Sequence, residues 1–202
     1  MRTKLLFTAI ALAGCMAAMA QSNRFSAGLE LAMPMGDYAD QAGFGFGATL
    51  GFELPVGDKL GVFANAGYIT FGKKEQDLIF VKVSTQQAMI PAQVGLKYYF
   101  NEAQTGFYAM AMVGIHSVSS TAKSSVTFLG QTIETESTAS DVFLSAAPGV
   151  GYIVGENIDL SLRYQLIFAE TTTADPTTGL TVTSSATNSY LGLRAAYMFG
   201  SR

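Results

Sequence analysis

The feature that most limits what this chain can become is a period-two alternation that recurs along most of its length. From Phe25 to Met35 the odd positions are Phe25, Ala27, Leu29, Leu31, Met33 and Met35, and the even ones are Ser26, Gly28, Glu30, Ala32 and Pro34. One face is apolar, and the other is small and carries a carboxylate. Successive side chains of a strand point to opposite sides, so the pattern specifies a β-strand with two unlike faces. It recurs where Phe44, Phe46, Ala48, Leu50, Phe52 and Leu54 oppose Gly45, Gly47, Thr49, Gly51 and Glu53. It recurs again where Ile90, Ala92, Val94, Leu96, Tyr98 and Phe100 oppose Pro91, Gln93, Gly95, Lys97 and Tyr99. Residues 142–154, 158–168 and 191–199 repeat it, with Asp159, Arg163 and Arg194 on the mixed faces. Two further segments are less clear. In 60–71, Val62, Ala64, Ala66 and Tyr68 alternate with Phe63, Asn65, Gly67 and Ile69, and 107–115 is apolar on both sides, so its facing stays open.

Each of the eight segments is roughly ten residues long, which is what a tilted strand needs to cross a bilayer. Strands of a soluble β-sandwich are commonly shorter, about 5–6 residues, and place bulk inside and charge outside. Here the arrangement is inverted, with the uniform face large and apolar. The connections alternate as well. Pro55–Lys59, Asn101–Thr105 and Gly155–Asn157 are short, whereas Gly72–Gln87, Ser117–Ser140 and Ala169–Thr187 are long and polar. Short turns on one side and long loops on the other mark a transmembrane barrel. The expected fold is therefore all-β, an eight-stranded antiparallel up-and-down transmembrane β-barrel. Closure pairs every strand edge, which hydrocarbon would otherwise penalise, and the barrel is expected to be a monomer.

Composition agrees. Only 13% of the 202 residues are charged and 49% are hydrophobic, against about a quarter charged in soluble domains. A chain this apolar is not disordered. A formal charge of −3 without a basic run excludes a nucleic-acid binder.

The first twenty residues have the three parts of a secretory signal: Arg2 and Lys4, the apolar run Leu5–Ala13, then Ala18-Met19-Ala20 with small residues at −3 and −1 of a cut before Gln21. The expected organisation is a signal at 1–20 and one barrel domain at 21–202. Cleavage there removes two of 12 basic residues and none of 15 acidic ones, leaving −5. The alternative is a lipobox, Leu12-Ala13-Gly14-Cys15, which would leave a lipidated Cys15.

Aromatic residues fall near the strand ends, where amphipathic rings favour the headgroup level. Phe25, Phe52, Tyr98, Phe100, Phe107, Tyr152, Tyr197 and Phe199 gather toward the short turns, and Phe44, Tyr68, Phe71, Tyr164 and Phe168 toward the long loops. The signal, the Pro34-Met35-Gly36-Asp37-Tyr38 strand exit, the Ile90-Pro91…Lys97-Tyr98-Tyr99-Phe100 strand and the carboxyl end, Tyr190-x-Gly192 followed by Tyr197 and Phe199, resemble the small eight-stranded outer-membrane β-barrel family, the architecture of the OmpA membrane domain and OmpX. The resemblance implies residence in the cell outer membrane, contact with outer-membrane lipid and lipopolysaccharide, and an assembly signal formed by Tyr190, Gly192, Tyr197 and Phe199 that the barrel-assembly machinery reads.

Six charged residues fall on the mixed, non-lipid faces: Glu30, Glu53, Lys97, Asp159, Arg163 and Arg194. A basic residue facing mid-bilayer lipid costs roughly 2–4 kcal/mol, so the register is firmly set. Eight strands enclose a lumen just wide enough to be filled by side chains. The three acids and three bases are expected to pair there, either as a structural plug or as a gate whose partners can switch.

Chemistry is sparse. His116 stands beside Ser117, at what the strand pattern makes the outer rim, and the rim triad of barrel lipid A deacylases would need serine where Val118 stands. With one histidine and one cysteine no metal constellation forms, and no cofactor is expected. Gly43-Phe44-Gly45-Phe46-Gly47 reads as a strand with glycines inward rather than as a phosphate loop, and Lys73-Lys74 as a solvated loop pair, with contact to lipopolysaccharide phosphates as the alternative. Val126-Thr127-Phe128 and Thr132-Ile133-Glu134 around Gly130 can extend a hairpin above the membrane and offer an edge to a partner strand. Residues 171–185 read as a flexible threonine-rich loop. Three function classes remain open at this point: a non-enzymatic structural or surface-interaction barrel with a possible extracellular ligand, a narrow pore or hydrophobic-solute conduit, and a lipid A-modifying enzyme.

Overall fold

In the computed structural model the backbone is described for residues 23–78, 81–128, 131–174 and 181–199, and side chains are described outside 75–83, 125–134 and 170–184. The expected signal, Cys15, the turn at Gly130 and residues 200–202 lie outside the described residues. The strands are β1 (Arg24–Met35), β2 (Gly45–Pro55), β3 (Leu60–Phe71), β4 (Lys74–Leu78), β5 (Val81–Tyr99), β6 (Gly106–Phe128), β7 (Gln131–Val154), β8 (Ile158–Ala174) and β9 (Thr181–Phe199), with one short helix, α1 (Tyr38–Gln41), after β1. All neighbouring pairs are antiparallel. The sheet runs β3-β2-β1-β9-β8-β7-β6-β5, and β5 returns to β3, closing the ring. β1 meets β9 with Phe25 opposite Phe199 and Glu30 opposite Arg194. Eight strands form the wall. β4 continues the line of β3 beyond Gly72 and Lys73 and pairs only with β5.

The alternation sets the facing as expected. Phe25, Leu29, Leu31, Phe46, Leu50, Val94, Leu144, Leu162 and Leu193 are exposed on the outer wall, while Ser26, Glu30, Thr49, Glu53, Gln93, Lys97, Asp159, Arg163 and Arg194 are buried. The two undecided segments are now fixed. β3 turns Phe63, Asn65, Ile69 and Phe71 inward and Tyr68 outward; β6 turns Tyr108, Met110, Met112 and His116 inward and Phe107, Val113 and Ile115 outward. A lumen this narrow takes apolar bulk as readily as paired charge, which is why an apolar residue alone does not reveal its side.

The short-turn aromatics Phe25, Tyr98, Phe100, Phe107, Tyr152, Tyr197 and Phe199 are all exposed, as are Phe44, Tyr68, Tyr164 and Phe168 at the other end. Phe25–Phe52 packs tilted, and Phe107–Tyr152 and Tyr197–Phe199 edge-on, at 4.7–4.9 Å between centroids. Phe71 corrects the expectation: it is 1% exposed and points into the lumen, because its partner Gly45 has no side chain to compete for that space.

The long connections are corrected in part. Segments expected as loops at 72–87 and 169–187 are largely ladders, and the hairpin expected above the membrane within 117–140 is present. β5 and β6 pair from Tyr99–Tyr108 out to Val81–Val126, β6 and β7 pair out to Phe128–Gln131, and β8 and β9 out to Ala174–Thr181. Serine and threonine lack an apolar face, yet β-branching and cross-strand hydroxyl pairing suit them to exposed strands. Residues 175–180 of the threonine-rich segment lie outside the described residues.

Candidate functional site: a filled lumen beneath an extended outer sheet

The lumen is filled in layers. Nearest the short turns, Arg24 at the start of β1 donates to the Gln104 amide oxygen at 2.9 Å, and Gln104 Nε2 donates to the Gly57 carbonyl at 2.6 Å. One glutamine thus ties β1 to two turns. It does so from a left-handed backbone conformation, φ +49°, which non-glycine residues adopt only at a cost.

Above it, Lys97 Nζ lies 2.9 Å from Glu53 Oε2 and 3.0 Å from Asp159 Oδ2. The hydroxyl of Tyr99 donates to Glu53 and that of Tyr108 to Asp159. Arg194 reaches Asp159 at 3.5 Å and donates at 2.8 Å to both Thr49 Oγ1 and Ser26 Oγ. The Lys97 ammonium also sits over the rings of Phe63, at 4.3 Å, and Tyr108, at 4.7 Å. One layer higher, Arg163 pairs with Glu30 and donates to Asn65 Oδ1 at 3.2 Å. Then Gln93 and Gln165 exchange hydrogen bonds at 2.9 and 3.2 Å, and Gln93 also donates to Ser145 at 3.1 Å.

All six charges singled out from the sequence are therefore inside, each 1–2% exposed, and they form two groups: Lys97 with Glu53, Asp159 and Arg194, and Arg163 with Glu30. Isolated, each would be prohibitively costly to bury. Paired and hydrogen-bonded, they offset most of that cost, with Glu30 Oε1 and Arg163 Nε left without a partner among the described residues. Arg24 is the lumen charge the sequence reasoning missed, 3.6 Å from Glu53 Oε1. It stands one residue before the first clear alternating position, and its even number alone could have placed it inside.

Two apolar clusters accompany the polar groups, the lower one interleaved with the Lys97 network through Phe63, Tyr99 and Tyr108. The lower contains Phe63, Tyr99, Tyr108, Met110, Met112, Ala147, Ile153 and Met198. The upper contains Ala32, Tyr38, Ala42, Ile69, Phe71, Met89, Ile167 and Tyr190. Tyr38 on α1 folds back into the outer mouth, donates to Gln87 Oε1 at 2.7 Å and packs edge-on against Phe71. Burial raises its phenol pKa well above the usual value.

His116 is not the rim histidine expected. Its ring is fully buried inside the barrel, with Nε2 3.2 Å from the Tyr190 hydroxyl. Ser117, the next residue, faces the opposite side of the wall, as alternation requires. The four residues expected to form the assembly signal divide the same way: Tyr190 and Gly192 face the lumen, and Tyr197 and Phe199 face lipid. Lys73 and Lys74 are exposed. Among the described residues no cluster of three or more metal-ligating side chains forms.

A closed ring of eight strands with an apolar outer wall, aromatic girdles and a polar, filled core constitutes a membrane barrel. A family model described as outer membrane protein beta-barrel domain matches residues 6–199. The chain belongs to this family. It is an outer-membrane β-barrel protein, located in the outer membrane. No curated protein matches it. Among solved structures, a major outer membrane protein from Thermus thermophilus is similar over 89% of this chain and 100% of its own, with 17% identity and a TM-score of 0.54. Ail, the attachment invasion locus protein of Yersinia pestis, is similar over 89% of this chain and 99% of its own, with 14% identity and a TM-score of 0.51. At such identities the likeness shows the shared barrel fold.

Proposed function

We propose that this outer-membrane barrel is non-enzymatic and acts at the cell surface, through the strands that stand clear of the membrane. The observation that carries this is the contrast between its two ends. β6 and β7 have 23 and 24 residues, while roughly ten cross a bilayer, so about half of each lies outside. β7 pairs with β8 only from Leu144 inward, leaving residues 131–143 paired to β6 on one side and, among the described residues, without a partner strand on the other. An open strand edge offers a row of backbone donors and acceptors, which is the means by which extended segments of partners add to a sheet. The fold alone is compatible with an attachment role, as the name of the Yersinia pestis protein indicates.

The filled lumen supports a structural rather than a conducting core. The placement of His116 supports the non-enzymatic reading: a lipid-cleaving triad needs its histidine on the lipid side, and this one contacts Tyr190 inside. The test deletes residues 120–139 from the full chain and measures adhesion of cells displaying it to extracellular-matrix proteins. The expected result is loss of adhesion with the barrel still folded. Unchanged adhesion, or loss of lipid A acyl chains on expression that His116→Ala abolishes, overturns the proposal.

A further inference from the structure

Just above the lipid-facing band, on the outside of β3, β5 and β6, the wall carries a concavity of about 440 Å³. Its floor is Tyr68 and Ile90, and its sides include Thr70, Gln86, Ser119 and Lys123. Continuing onto β7, the same outward face is a ladder of cross-strand polar pairs: Ser119–Ser140 at 3.1 Å, Thr121–Thr138 at 3.1 Å and Lys123–Glu136 at 3.0 Å. The concavity thus offers hydroxyls and an amide, which both donate and accept. Of its described lining residues, Lys123 is the one cation, and Glu136 already neutralises it.

Directly below, on the same strands, the wall is unusually thin. Ala64 and Ala66 follow Tyr68 down β3, and Ala92 follows Ile90 down β5. Between Phe52, Val94 and Val113 they leave a trough of about 520 Å³. A second trough of about 710 Å³ over Ala27, Ala48 and Ala66 adjoins it. These positions face hydrocarbon, where acyl chains can enter the troughs. The upper concavity lies above them on the same wall, with Tyr68 and Ile90 each two residues outward of Ala66 and Ala92.

We propose that this wall is a specific site for one outer-leaflet glycolipid, with acyl chains in the alanine troughs and an uncharged sugar headgroup hydrogen-bonded in the concavity above Tyr68. The commitment to a sugar follows from the chemistry of the upper part. A phospholipid would bring a phosphate to a place whose described cation is already paired, whereas a sugar brings hydroxyls to match hydroxyls and an apolar face for the Tyr68 ring. The commitment to a lipid follows from the apolar troughs beneath.

The test is native mass spectrometry of the full-length protein released from nanodiscs containing equal minor fractions of monogalactosyl diacylglycerol and phosphatidylethanolamine in phosphatidylcholine. The expected result is one galactolipid retained per barrel, about tenfold over phosphatidylethanolamine, a ratio that one or two net hydrogen bonds supply. The triple variant Gln86→Ala, Ser119→Val, Thr121→Val removes the preference, and so does the trough-filling pair Ala66→Leu, Ala92→Leu. Leu162→Ala on β8, across the barrel from β3, leaves it intact. Heat-modifiable gel migration verifies that each variant is folded, and the two groove variants test the site independently. Equal retention of both lipids, or a preference that survives both groove variants, overturns the proposal.

Discussion

The Lys97 ammonium lies 2.9 Å from the Glu53 carboxylate, although the two strands that carry them are separated in the wall by β3. The same nitrogen serves Asp159 at 3.0 Å, so a single cation holds two acids from opposite parts of the ring. Removing it leaves each acid only its longer contact, Arg24 at 3.6 Å for Glu53 and Arg194 at 3.5 Å for Asp159. Lys97→Met is expected to destabilise the barrel by about 3–5 kcal/mol, the usual cost of removing one partner of a buried ion pair. Adding Glu53→Gln recovers part of this, because Asp159 keeps Arg194. Urea titration in lipid vesicles, with folded fraction read by heat-modifiable migration, checks the order. Equal stability of the single and double variants would show that the pair is not coupled.

Glycine positions differ in what lies beside them. A Cβ at Gly28 would stand 2.6 Å from the Ala195 carbonyl oxygen and 2.8 Å from Ala196 Cα, neither of which can move independently of β9. At Gly192 it would meet the Glu30 carboxylate end at 2.7 Å, a flexible group. Gly28→Ala is expected to cost about 1–3 kcal/mol, as overpacking does, and Gly192→Ala clearly less. The same urea titration ranks them.

Tyr38 gives a pH dependence with a defined sign. Its folded-state pKa is raised by burial, so the folded chain holds that proton more tightly than the unfolded chain does, and the stability linked to it is lost as pH rises past the ordinary tyrosine value of about 10. Below that pH, Tyr38→Phe is expected to cost about 1 kcal/mol for the lost hydrogen bond to Gln87. Above it the gap between wild type and Tyr38→Phe narrows. Paired unfolding curves across alkaline pH measure it, since the other buried tyrosines are common to both proteins.

The outer edge of β7 makes a prediction about hydrogen exchange. In residues 135–141, amides directed toward β6 are held in the ladder and the alternate ones face the open side. Exchange measured by NMR is expected to alternate slow and fast along this stretch, and to be slow at every residue from Leu144 to Ala146, where β8 pairs as well. Uniform protection of 135–141 would mean that the edge is covered.

The wall was legible in the sequence because lipid enforces it: a polar side chain turned outward is costly, so Glu30, Glu53, Lys97, Asp159, Arg163 and Arg194 reveal their side by number alone. The lumen enforces no such rule. It accepts Phe63, Phe71 and Met112 beside Arg194, so apolar residues of β3 and β6 carried no sign of their facing, and His116 gave no hint that its partner would be Tyr190, 74 residues away. Tyr38 escaped because its role depends on α1 folding back over the mouth, which alternation does not describe. Period-two patterning disappears where both faces meet water, so 72–87 and 169–187 carry no strand signal in the sequence even though the ladders continue.

If the lumen is sealed beneath the surface sheet, no ions cross it. Current across a planar bilayer holding the purified full-length protein tests this. A flat baseline under applied voltage is the predicted result, for wild type and also for Tyr38→Ala, since the layer around Lys97, Phe63 and Tyr108 stays closed below the mouth. Discrete conductance steps in the wild type, altered by Lys97→Met, would contradict it and make the ion pairs a gate.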